Sequence, residues 1–334
     1  MSRPRSAAVT PVTLLTGWLG AGKTTLLNRI LRGDHGRRYA VLVNEFGQVG
    51  IDDRLVKRRD EDLVELSNGC VCCTVRGDLV RALKRLKERR LGILPPRRFD
   101  HVVVETTGVA EPAPLLRTFL MEDDVASAYE VQAVLTLADA AHLDAALAER
   151  SAAEQVALAD LLLLNKVDLV DEAQLAARET ALRRLNPVAP IRRCTEADLP
   201  LDELLRPRRE DFAVEDLPPA TATDHADGHD HGPAHDIVSI HLADPRALDE
   251  LKTRLWLDAC VQQLGERLVR YKGFLHLEDR PYRCVLQGVY ELYSVEPGEP
   301  WAAEEPRANE LVFLGHGLDE DFFRRGLDAA TATT

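Results

Sequence analysis

The chain has no uninterrupted apolar run approaching the ~20 residues that a helix needs to cross a bilayer. It also lacks the apolar core of a secretory signal, because residues 1–10 are basic and small and Pro11 opens a strand-like segment instead. We therefore expect a cytoplasmic protein without a membrane partner.

An excess of basic residues is missing as well. Lys and Arg number 42 against 55 Asp and Glu, which gives a formal net charge of −13. Nucleic-acid backbones are bound by clustered basic side chains, so this balance argues against a general nucleic-acid binder. With 334 residues, 45% of them hydrophobic and 29% charged, the chain has the composition of a globular protein, and its length favours two domains.

Cysteines are few, and half of the six lie within four positions: Cys70, Cys72 and Cys73. Such crowding does not suit three disulfides to distant partners. In a chain expected in the cytosol it indicates metal binding or redox activity. The other cysteines are scattered singly, as are two of the histidines, and we expect packing or surface roles for all five: Cys194, Cys260, Cys284, His276 and His316.

A glycine-rich segment matches the phosphate-binding P-loop at every required position: Gly17-Trp18-Leu19-Gly20-Ala21-Gly22-Lys23-Thr24. The glycines let backbone N–H groups converge on phosphate oxygens, and the following helix adds its positive end. We expect Lys23 to neutralise the β- and γ-phosphates and the Thr24 hydroxyl to ligate Mg²⁺. The full nucleotide-binding prediction here is Gly17, Gly20, Ala21, Gly22, Lys23, Thr24 and Thr25.

Apolar segments alternate with helix-compatible ones along the first two thirds of the chain. Strands are predicted at Val12–Leu15, Tyr39–Asn44, His101–Glu105, Gln132–Leu137 and Leu161–Leu164, and helices at Thr24–Leu31, Asp78–Arg90 and Ala140–Ala157. Buried strands alternating with helices favour a doubly wound, mostly parallel sheet. With the P-loop, this predicts an α/β fold of the P-loop NTPase type.

The composition shifts near residue 207, where prolines lead into a tract rich in His and Asp. We predict a nucleotide-binding domain at 1–215, a linker or loop at 216–236, and a smaller α+β C-terminal domain at 237–334. Its predicted elements are strand Ile237–Leu242, a helix from near Pro245 to near Gly265, strands Val269–Leu277, Tyr282–Leu292 and Glu310–Gly315, and a closing helix.

Two further segments complete the predicted nucleotide site. Glu105 ends an apolar strand and is followed by Thr106-Thr107-Gly108, so Glu105 is a candidate Mg²⁺ ligand and Gly108 a candidate γ-phosphate contact. Asn165-Lys166-Val167-Asp168 follows another apolar strand. A carboxylate such as Asp168 accepts hydrogen bonds from both the ring N–H and the exocyclic amine of guanine, which favours GTP over ATP.

The cysteine cluster, Asn68-Gly69-Cys70-Val71-Cys72-Cys73-Thr74, offers up to three thiolates in one loop. Thiolates are preferred ligands of zinc and Cu(I). A fourth ligand would come from elsewhere in the chain, from solvent or from a partner. The alternative, a group of buried apolar thiols, fits poorly with the flanking Asn, Gly and Thr.

These residues resemble the CobW-type metallochaperone GTPases, relatives of the urease and hydrogenase maturation GTPases, and most of all the zinc-handling members. The resemblance rests on the P-loop, the cysteine cluster, Glu105–Gly108, Asn165–Asp168 and the segment Asn44-Glu45-Phe46-Gly47-Gln48-Val49-Gly50-Ile51-Asp52. It extends into the C-terminal part through Tyr271-Lys272-Gly273-Phe274 and Gln287-Gly288-Val289.

The resemblance implies GTP hydrolysis with Mg²⁺, zinc bound by the cysteine cluster, a nucleotide-linked conformational change, and delivery of zinc to a client metalloprotein. It makes residues 44–52 a first switch, in which Gln48 replaces the usual Glu while Glu45 remains a candidate metal ligand. Slow intrinsic turnover is expected, accelerated by a partner or by a nucleotide- or metal-dependent homodimer.

Four histidines interleave with aspartates in the tract at 224–236: His225, His229, His231 and His235. Imidazoles bind zinc, nickel and copper, so the tract is either a loose metal collector or a solvated linker. The overall alternatives to a zinc chaperone are a nickel or cobalt insertase of the same fold, a non-catalytic zinc buffer regulated by GTP, and, more weakly, a small-molecule kinase.

Overall fold

The computed structural model describes residues 9–33, 38–43, 63–65, 74–90, 99–109, 112–206 and 237–332. The chain divides into two compact units. The first holds residues 1–146, 159–176 and 191–208, and the second holds residues 147–158, 177–190 and 209–334. The second unit therefore includes two segments that interrupt the first unit in the sequence.

In the described part of the first unit, seven strands form one sheet: β1 Thr10–Gly17, β2 Tyr39–Val43, β3 Leu63–Glu65, β4 His101–Glu105, β5 Tyr129–Asp139, β6 Leu161–Asn165 and β7 Ile191–Cys194. The order is β3-β2-β4-β1-β5-β6-β7, and all the neighbouring pairs are parallel. Parallel neighbours require crossover connections, usually helices. The predicted P-loop NTPase-type α/β fold is confirmed.

The described ranges between residues 9 and 206 contain eight α-helices: α1 Lys23–Arg32, α2 Thr74–Arg90, α3 Ala113–Met121, α4 Asp123–Ala126, α5 Leu143–Leu147, α6 Arg150–Leu158, α7 Glu172–Leu185 and α8 Leu201–Leu204. The central strands are apolar without alternation, and β4 and β6 are buried along their whole length. Such continuous burial is typical of parallel strands covered on both faces.

The P-loop follows β1 and therefore lies at the carboxyl edge of the parallel sheet. Because β1 and its neighbours β4 and β5 are parallel, their carboxyl ends meet at one edge, where open α/β sheets bind ligands. The amide of Thr106 donates to the carbonyl of Leu15 at 2.9 Å and fixes the end of β4 beside the end of β1.

Most predicted elements of the first two thirds of the chain differ from the observed ones by a few residues at one or both ends, and two of the differences have a clear structural cause. The helix predicted at Ala140–Ala157 is broken into α5 and α6, because residues 147–158 pack within the second unit. The strand predicted at Gln132–Leu137 is longer, Tyr129–Asp139, because β5 pairs with β1 along eight positions.

The second unit contains a five-stranded antiparallel sheet: β8 Ile237–Asp244, β9 Leu268–Leu275, β10 Tyr282–Val289, β11 Leu292–Pro300 and β12 Asn309–His316. The order is β11-β10-β9-β12-β8, and every pair is antiparallel. Helices α9 Glu250–Leu264 and α10 Glu320–Ala330 begin at the capping aspartates Asp249 and Asp319. The predicted α+β class of the C-terminal part is confirmed.

The core of the second unit combines leucines with a group of packed aromatic rings. Tyr271, Phe313 and Phe323 are at most 1% exposed, and the ring centroids of Phe313 and Phe323 lie 4.3 Å apart. A smaller apolar cluster joins Val188 to side chains of β9, β10 and β12, namely Phe274, Val285, Val312 and Leu314. The strand predicted at Tyr282–Leu292 ends at Val289, because Tyr290 turns the chain at φ 52° and starts the hairpin to β11.

Candidate functional site

The predicted phosphate loop connects the end of β1 to the start of α1. Gly22 caps the helix with φ 106°, a left-handed conformation that favours glycine, and Lys23 is the first helical residue. The amide of Ala21 donates to the carbonyl of Trp18 at 3.2 Å and closes the loop on itself. The loop therefore directs backbone amides and a helix N-terminus toward the carboxyl edge of the sheet.

Lys23 lies inside this loop. Its side chain is buried, and Nζ donates to the carbonyl oxygens of Gly17 at 2.7 Å and Trp18 at 3.1 Å. The ammonium group is thus held by two carbonyl groups of the loop itself. Thr24 is half-buried and Thr25 is exposed in the first turn of α1.

Asn165 connects the predicted base-recognition segment to the P-loop. Its Nδ2 donates to the carbonyl of Ala21 at 2.9 Å. Its Oδ1 accepts from the amide of Ala197 at 3.0 Å and contacts the Cys194 thiol at 3.5 Å. A Cβ on Gly22 would lie 2.4 Å from Nδ2, so glycine at this position also permits the approach of Asn165. One buried side chain therefore joins three loops of the first unit.

The third of these loops was not predicted. It follows β7 as Thr195-Glu196-Ala197-Asp198, with Glu196 and Ala197 in the left-handed region at φ 52° and 53°. Asp198 pairs with Arg29 of α1. The available signal was positional: a short polar turn follows the strand next to β6, whose carboxyl end carries the base-recognition segment.

The remaining residues of that segment have different environments. Lys166 adopts φ 62° and donates from Nζ to Oδ2 of Asp139 at 2.7 Å, a partner that the sequence did not indicate. Asp168 is exposed in a short 3₁₀ helix, Val167–Leu169. The carboxylate expected to recognise guanine is therefore accessible, next to a lysine held by an ion pair.

Glu105 and Gly108 lie beside the P-loop, as their positions at the end of β4 and just after it suggest. Glu105 is buried and aligned with Leu15 of β1. A Cβ on Gly108 would lie 2.5 Å from the amide nitrogen of Leu19, so this glycine packs directly on the P-loop backbone. The buried hydroxyls of Thr16, Thr106 and Thr107 have no hydrogen-bond partner within the described residues.

Several predicted site residues lie outside the described residues. They are the cysteine cluster Cys70, Cys72 and Cys73, the switch residues Glu45 and Gln48, and His225, His229, His231 and His235. Within the described ranges, no group of three or more His, Cys, Asp or Glu side chains is arranged to hold a metal ion. The helices of the same ranges include none with the length and apolarity to cross a membrane.

The isolated cysteines serve as packing groups, as predicted, and Cys194 has an additional contact with Asn165. All three are buried, and burial raises the pKa of Cys194 to about 11 and that of Cys260 to about 12. Burial raises the pKa of Cys284 as well. Protonated thiols are poor metal ligands. His316 is buried and bonded to Glu154, and half-buried His276 contacts the carbonyl of Pro245.

A P-loop at the carboxyl edge of a parallel sheet, joined by an asparagine to a base-recognition segment, defines the class of a P-loop nucleotide-binding protein. Two family models match: the CobW/HypB/UreG nucleotide-binding domain at residues 11–193 and the cobalamin synthesis protein cobW C-terminal domain at residues 237–331. The chain belongs to the CobW/HypB/UreG family, and the resemblance seen in the sequence is confirmed.

Two curated relatives align with this chain over nearly their full length. The zinc chaperone YjiA of Escherichia coli is 36% identical over 315 residues, which cover 94% of this chain and 96% of the relative. The zinc chaperone CobW of Pseudomonas aeruginosa is 33% identical over 372 aligned positions, covering 98% and 93%. The crystal structure of Zn(II)-bound YjiA GTPase from E. coli matches with a TM-score of 0.72 at 29% identity and covers 97% of this chain and 99% of that chain.

Proposed function

We propose that this protein binds and hydrolyses GTP with Mg²⁺ and couples that cycle to carrying zinc on Cys70, Cys72 and Cys73 for delivery to a client metalloprotein. The observation that carries the proposal is the hydrogen bond from Asn165 to the carbonyl of Ala21 in the P-loop. This bond brings the predicted phosphate-binding and base-binding segments together in one site. The full-length relatives named as zinc chaperones support the choice of metal.

Phosphate binding would use the loop amides, the N-terminus of α1 and Lys23. The ammonium of Lys23 already lies between two loop carbonyls, so its transfer to phosphate oxygens needs little movement of the chain. Positioning and charge neutralisation supply most of the catalysis in phosphoryl transfer, so a preformed loop suits attack by water on the γ-phosphate. The close packing of Gly108 on the P-loop backbone at Leu19 supports a role for the segment after β4 in contacting the γ-phosphate.

The side chains present fit Mg²⁺. Thr24 and Glu105 offer a hydroxyl and a carboxylate at the same edge, and Mg²⁺ prefers oxygen ligands. Within the described residues, the buried hydroxyls of Thr106 and Thr107 in the same segment also have no hydrogen-bond partner, which suits a site for a polar ligand. Bound there, Mg²⁺ would neutralise the charge that develops on the phosphate oxygens. Thr24 is proposed to hold it directly, and Glu105 directly or through water.

Zinc would be the cargo of the protein rather than a resident cofactor. β3 ends at Glu65 and α2 begins at Thr74, so the three cysteines belong to a connection between elements of the nucleotide unit. β3 pairs with β2 in the same parallel sheet as β1, and its carboxyl end faces the same edge as the P-loop. A change in the segments that contact γ-phosphate would therefore alter the thiolate geometry and the zinc affinity.

The test is a competitive zinc titration of the wild type and a triple Cys→Ser variant at positions 70, 72 and 73, without nucleotide, with GDP and with a GTP analogue. We expect one tight site that is lost in the triple variant and whose affinity depends on the nucleotide. By linkage, zinc must change the GTP affinity by the same factor, about 5- to 150-fold. Cys284→Ala, which removes a buried thiol from the second unit, is the matched control.

The outcomes separate the alternatives. Equal zinc affinity in all nucleotide states would contradict the coupled cycle, and an unchanged affinity in the triple variant would contradict the cysteine site. Nucleotide-dependent zinc affinity without GTP turnover would identify a buffer. Tighter nickel or cobalt binding at the same cysteines would identify an insertase. Deletion of residues 224–236 should remove only weakly bound ions if the four histidines there collect metal loosely.

A further inference from the structure

Asp139 ends β5 directly beside the base-recognition segment. In the parallel register of β5 and β6, Asp139 is aligned with Asn165. The amide of Ala140 continues this pairing by donating to the carbonyl of Asn165 at 2.9 Å. Asp139 therefore belongs to the framework from which Lys166 and Asp168 project, although it is 27 residues away from Lys166 in the sequence.

Among the described residues, the hydrogen-bond partners of the Asp139 carboxylate all belong to the segments that follow β5 and β6. Oδ2 accepts from Lys166 Nζ at 2.7 Å and lies 3.1 Å from Nδ1 of His142. Oδ1 accepts from the amide of Ala141 at 2.9 Å. Burial alone would raise the pKa of Asp139, but the hydrogen bonds from Lys166, His142 and Ala141 outweigh it and hold the pKa below its usual value. The carboxylate is therefore ionised at neutral pH.

Lys166, the partner of Asp139, has an unfavourable backbone conformation that other contacts must stabilise. Its φ of 62° lies in the left-handed region, which lysine rarely adopts, and this turn sends the chain into the short 3₁₀ helix that carries Asp168. Asn165 fixes the residue before the turn through its bonds to Ala21 and Ala197. The bond to Asp139 fixes the side chain of the turn residue itself.

We infer that Asp139 is a positioning residue for guanine recognition, which holds Lys166 and thereby sets the turn that presents Asp168 to the base. This inference rests on the proposed function, because it assumes that the segment Asn165–Asp168 binds guanine. Loss of the ion pair frees the turn, so the two hydrogen bonds expected at Asp168 are no longer held in their geometry. The hydrogen bond from the exocyclic amine of guanine to Asp168 depends on that geometry. Inosine nucleotides lack this amine, so their affinity should fall less than that of guanine nucleotides.

A partly buried ion pair that serves only stability would behave differently. Removing one partner would lower the resistance to unfolding and leave the ratio of GTP to inosine triphosphate binding unchanged. A positioning role changes that ratio, raises the KM for GTP and leaves kcat nearly constant, since binding to the base is equally strong in the ground and transition states.

The experiment compares the wild type with Asp139→Asn, Lys166→Met and the double variant, using the full chain. Affinities for GDP, GTP and inosine triphosphate are measured by calorimetry, kcat and KM for GTP hydrolysis by phosphate release, and folding by thermal denaturation. Each single variant should weaken GTP binding about tenfold, and the double variant no further, because both remove the same ion pair. Inosine triphosphate binding should change by less than about threefold.

Two control variants and one independent test variant make the outcome interpretable. Asp144→Asn removes the same charge from an exposed position on α5 and should leave every affinity within about twofold. Asp139→Glu retains the charge and should recover part of the GTP affinity. Lys166→Met keeps the aliphatic stem and tests the idea independently if Asp139→Asn fails to fold.

Additive losses in the double variant, equal losses for GTP and inosine triphosphate, or unchanged affinities would each overturn the inference. Failure of the proposed function has a separate signature. A wild type that binds ATP as well as GTP contradicts the guanine site, whereas a wild type selective for GTP with unaffected variants contradicts only the role of Asp139.

Discussion

In each unit a glycine allows a close contact, but the group that it contacts is polar in the first unit and aromatic in the second. In the first, Gly22 lets the amide of Asn165 approach the P-loop, where a Cβ would lie 2.4 Å from Nδ2. In the second, Gly288 of β10 faces its cross-strand partner Tyr271, and a Cβ would lie 2.0 Å from the ring carbon Cζ. Gly22 allows two polar loops to approach each other at the carboxyl edge of the parallel sheet. Gly288 leaves space for an aromatic ring of the core. Adding a methyl group at each glycine should therefore have different consequences. It should weaken nucleotide binding in the first unit and lower the stability of the second.

The largest effect should come from Lys23→Ala, which removes the buried cation of the first unit's loop. We expect GTP hydrolysis to fall at least about 100-fold, since charge stabilisation of the transferring phosphoryl group is lost. Unfolding of the second unit, followed through Trp256 and Trp301, should be unchanged. Arg32→Ala, which removes an exposed cation from the other end of α1, is the control and should keep full activity. Retained hydrolysis in Lys23→Ala would remove the P-loop from the mechanism.

A methyl group at Gly22 tests the first half of the comparison. Gly22→Ala must adopt φ 106° and contact Asn165, so we expect about tenfold or greater loss of affinity for GTP and inosine triphosphate alike. The equal loss distinguishes this phosphate-side change from Asp139→Asn. Gly77→Ala in α2, where the nearest atom to a Cβ is 3.5 Å away, is the matched control. Unimpaired binding by Gly22→Ala would mean that the Asn165 link is dispensable.

The sequence was sufficient for the contiguous parts of the candidate site. The P-loop and Asn165–Asp168 are local patterns whose spacing has a physical reason, and the alternation of apolar strands and helices predicted the fold class. Asp139 and Ala197 were missed because their partners lie 27 and 32 residues away in the sequence. Nothing local distinguishes a strand-ending aspartate that binds a lysine from one that is solvated.

Tertiary context also explains the errors in the elements. The segment Ala140–Ala157 is largely helical, as its periodicity predicted. It is divided between the two units, however, so it forms two helices, α5 and α6, instead of one. β11 was missed because Pro297, Gly298 and Pro300 are typical strand breakers. These residues are tolerated in β11 because it is an edge strand whose outer face needs no ladder hydrogen bonds.

Gly288→Ala tests the second half of the comparison. The added methyl group would displace Tyr271, whose hydroxyl donates to the carbonyls of Tyr290 and Leu292 at 3.3 and 3.2 Å. Overpacking of this kind costs about 1–3 kcal/mol. Urea denaturation should show that loss in the free energy of unfolding, while GTP affinity stays within about twofold. Tyr271→Leu should relieve most of the added cost in the double variant, and a purely additive result would locate the strain elsewhere.

The smallest effect concerns Glu154, the one described α6 carboxylate that bonds to β12. It lies 3.1 Å from Nε2 of His316 and accepts from Nε of Arg150 at 3.0 Å, and all of these groups belong to the second unit. Burial alone would raise the pKa of Glu154, but the bonds from His316 and Arg150 outweigh it, so the pKa is lowered from its usual 4.5. A lowered carboxyl pKa stabilises the fold above the unfolded-state pKa, and this contribution is lost as the pH falls through the folded-state value.

Glu154→Gln should therefore be less stable than the wild type at pH 7 by about 1 kcal/mol, the usual difference between hydrogen bonds to charged and to neutral acceptors. The difference should shrink steadily as the pH falls below about 4.5 and the carboxyl group of the wild type becomes protonated. Urea denaturation of both proteins between pH 7 and pH 3 measures it, and GTP affinity should not change in the variant at pH 7. Glu149→Gln, an exposed carboxylate one position before α6, is the control for the general loss of negative charge. A stability difference that is constant with pH would show that Glu154 contributes through its shape and packing rather than through its charge.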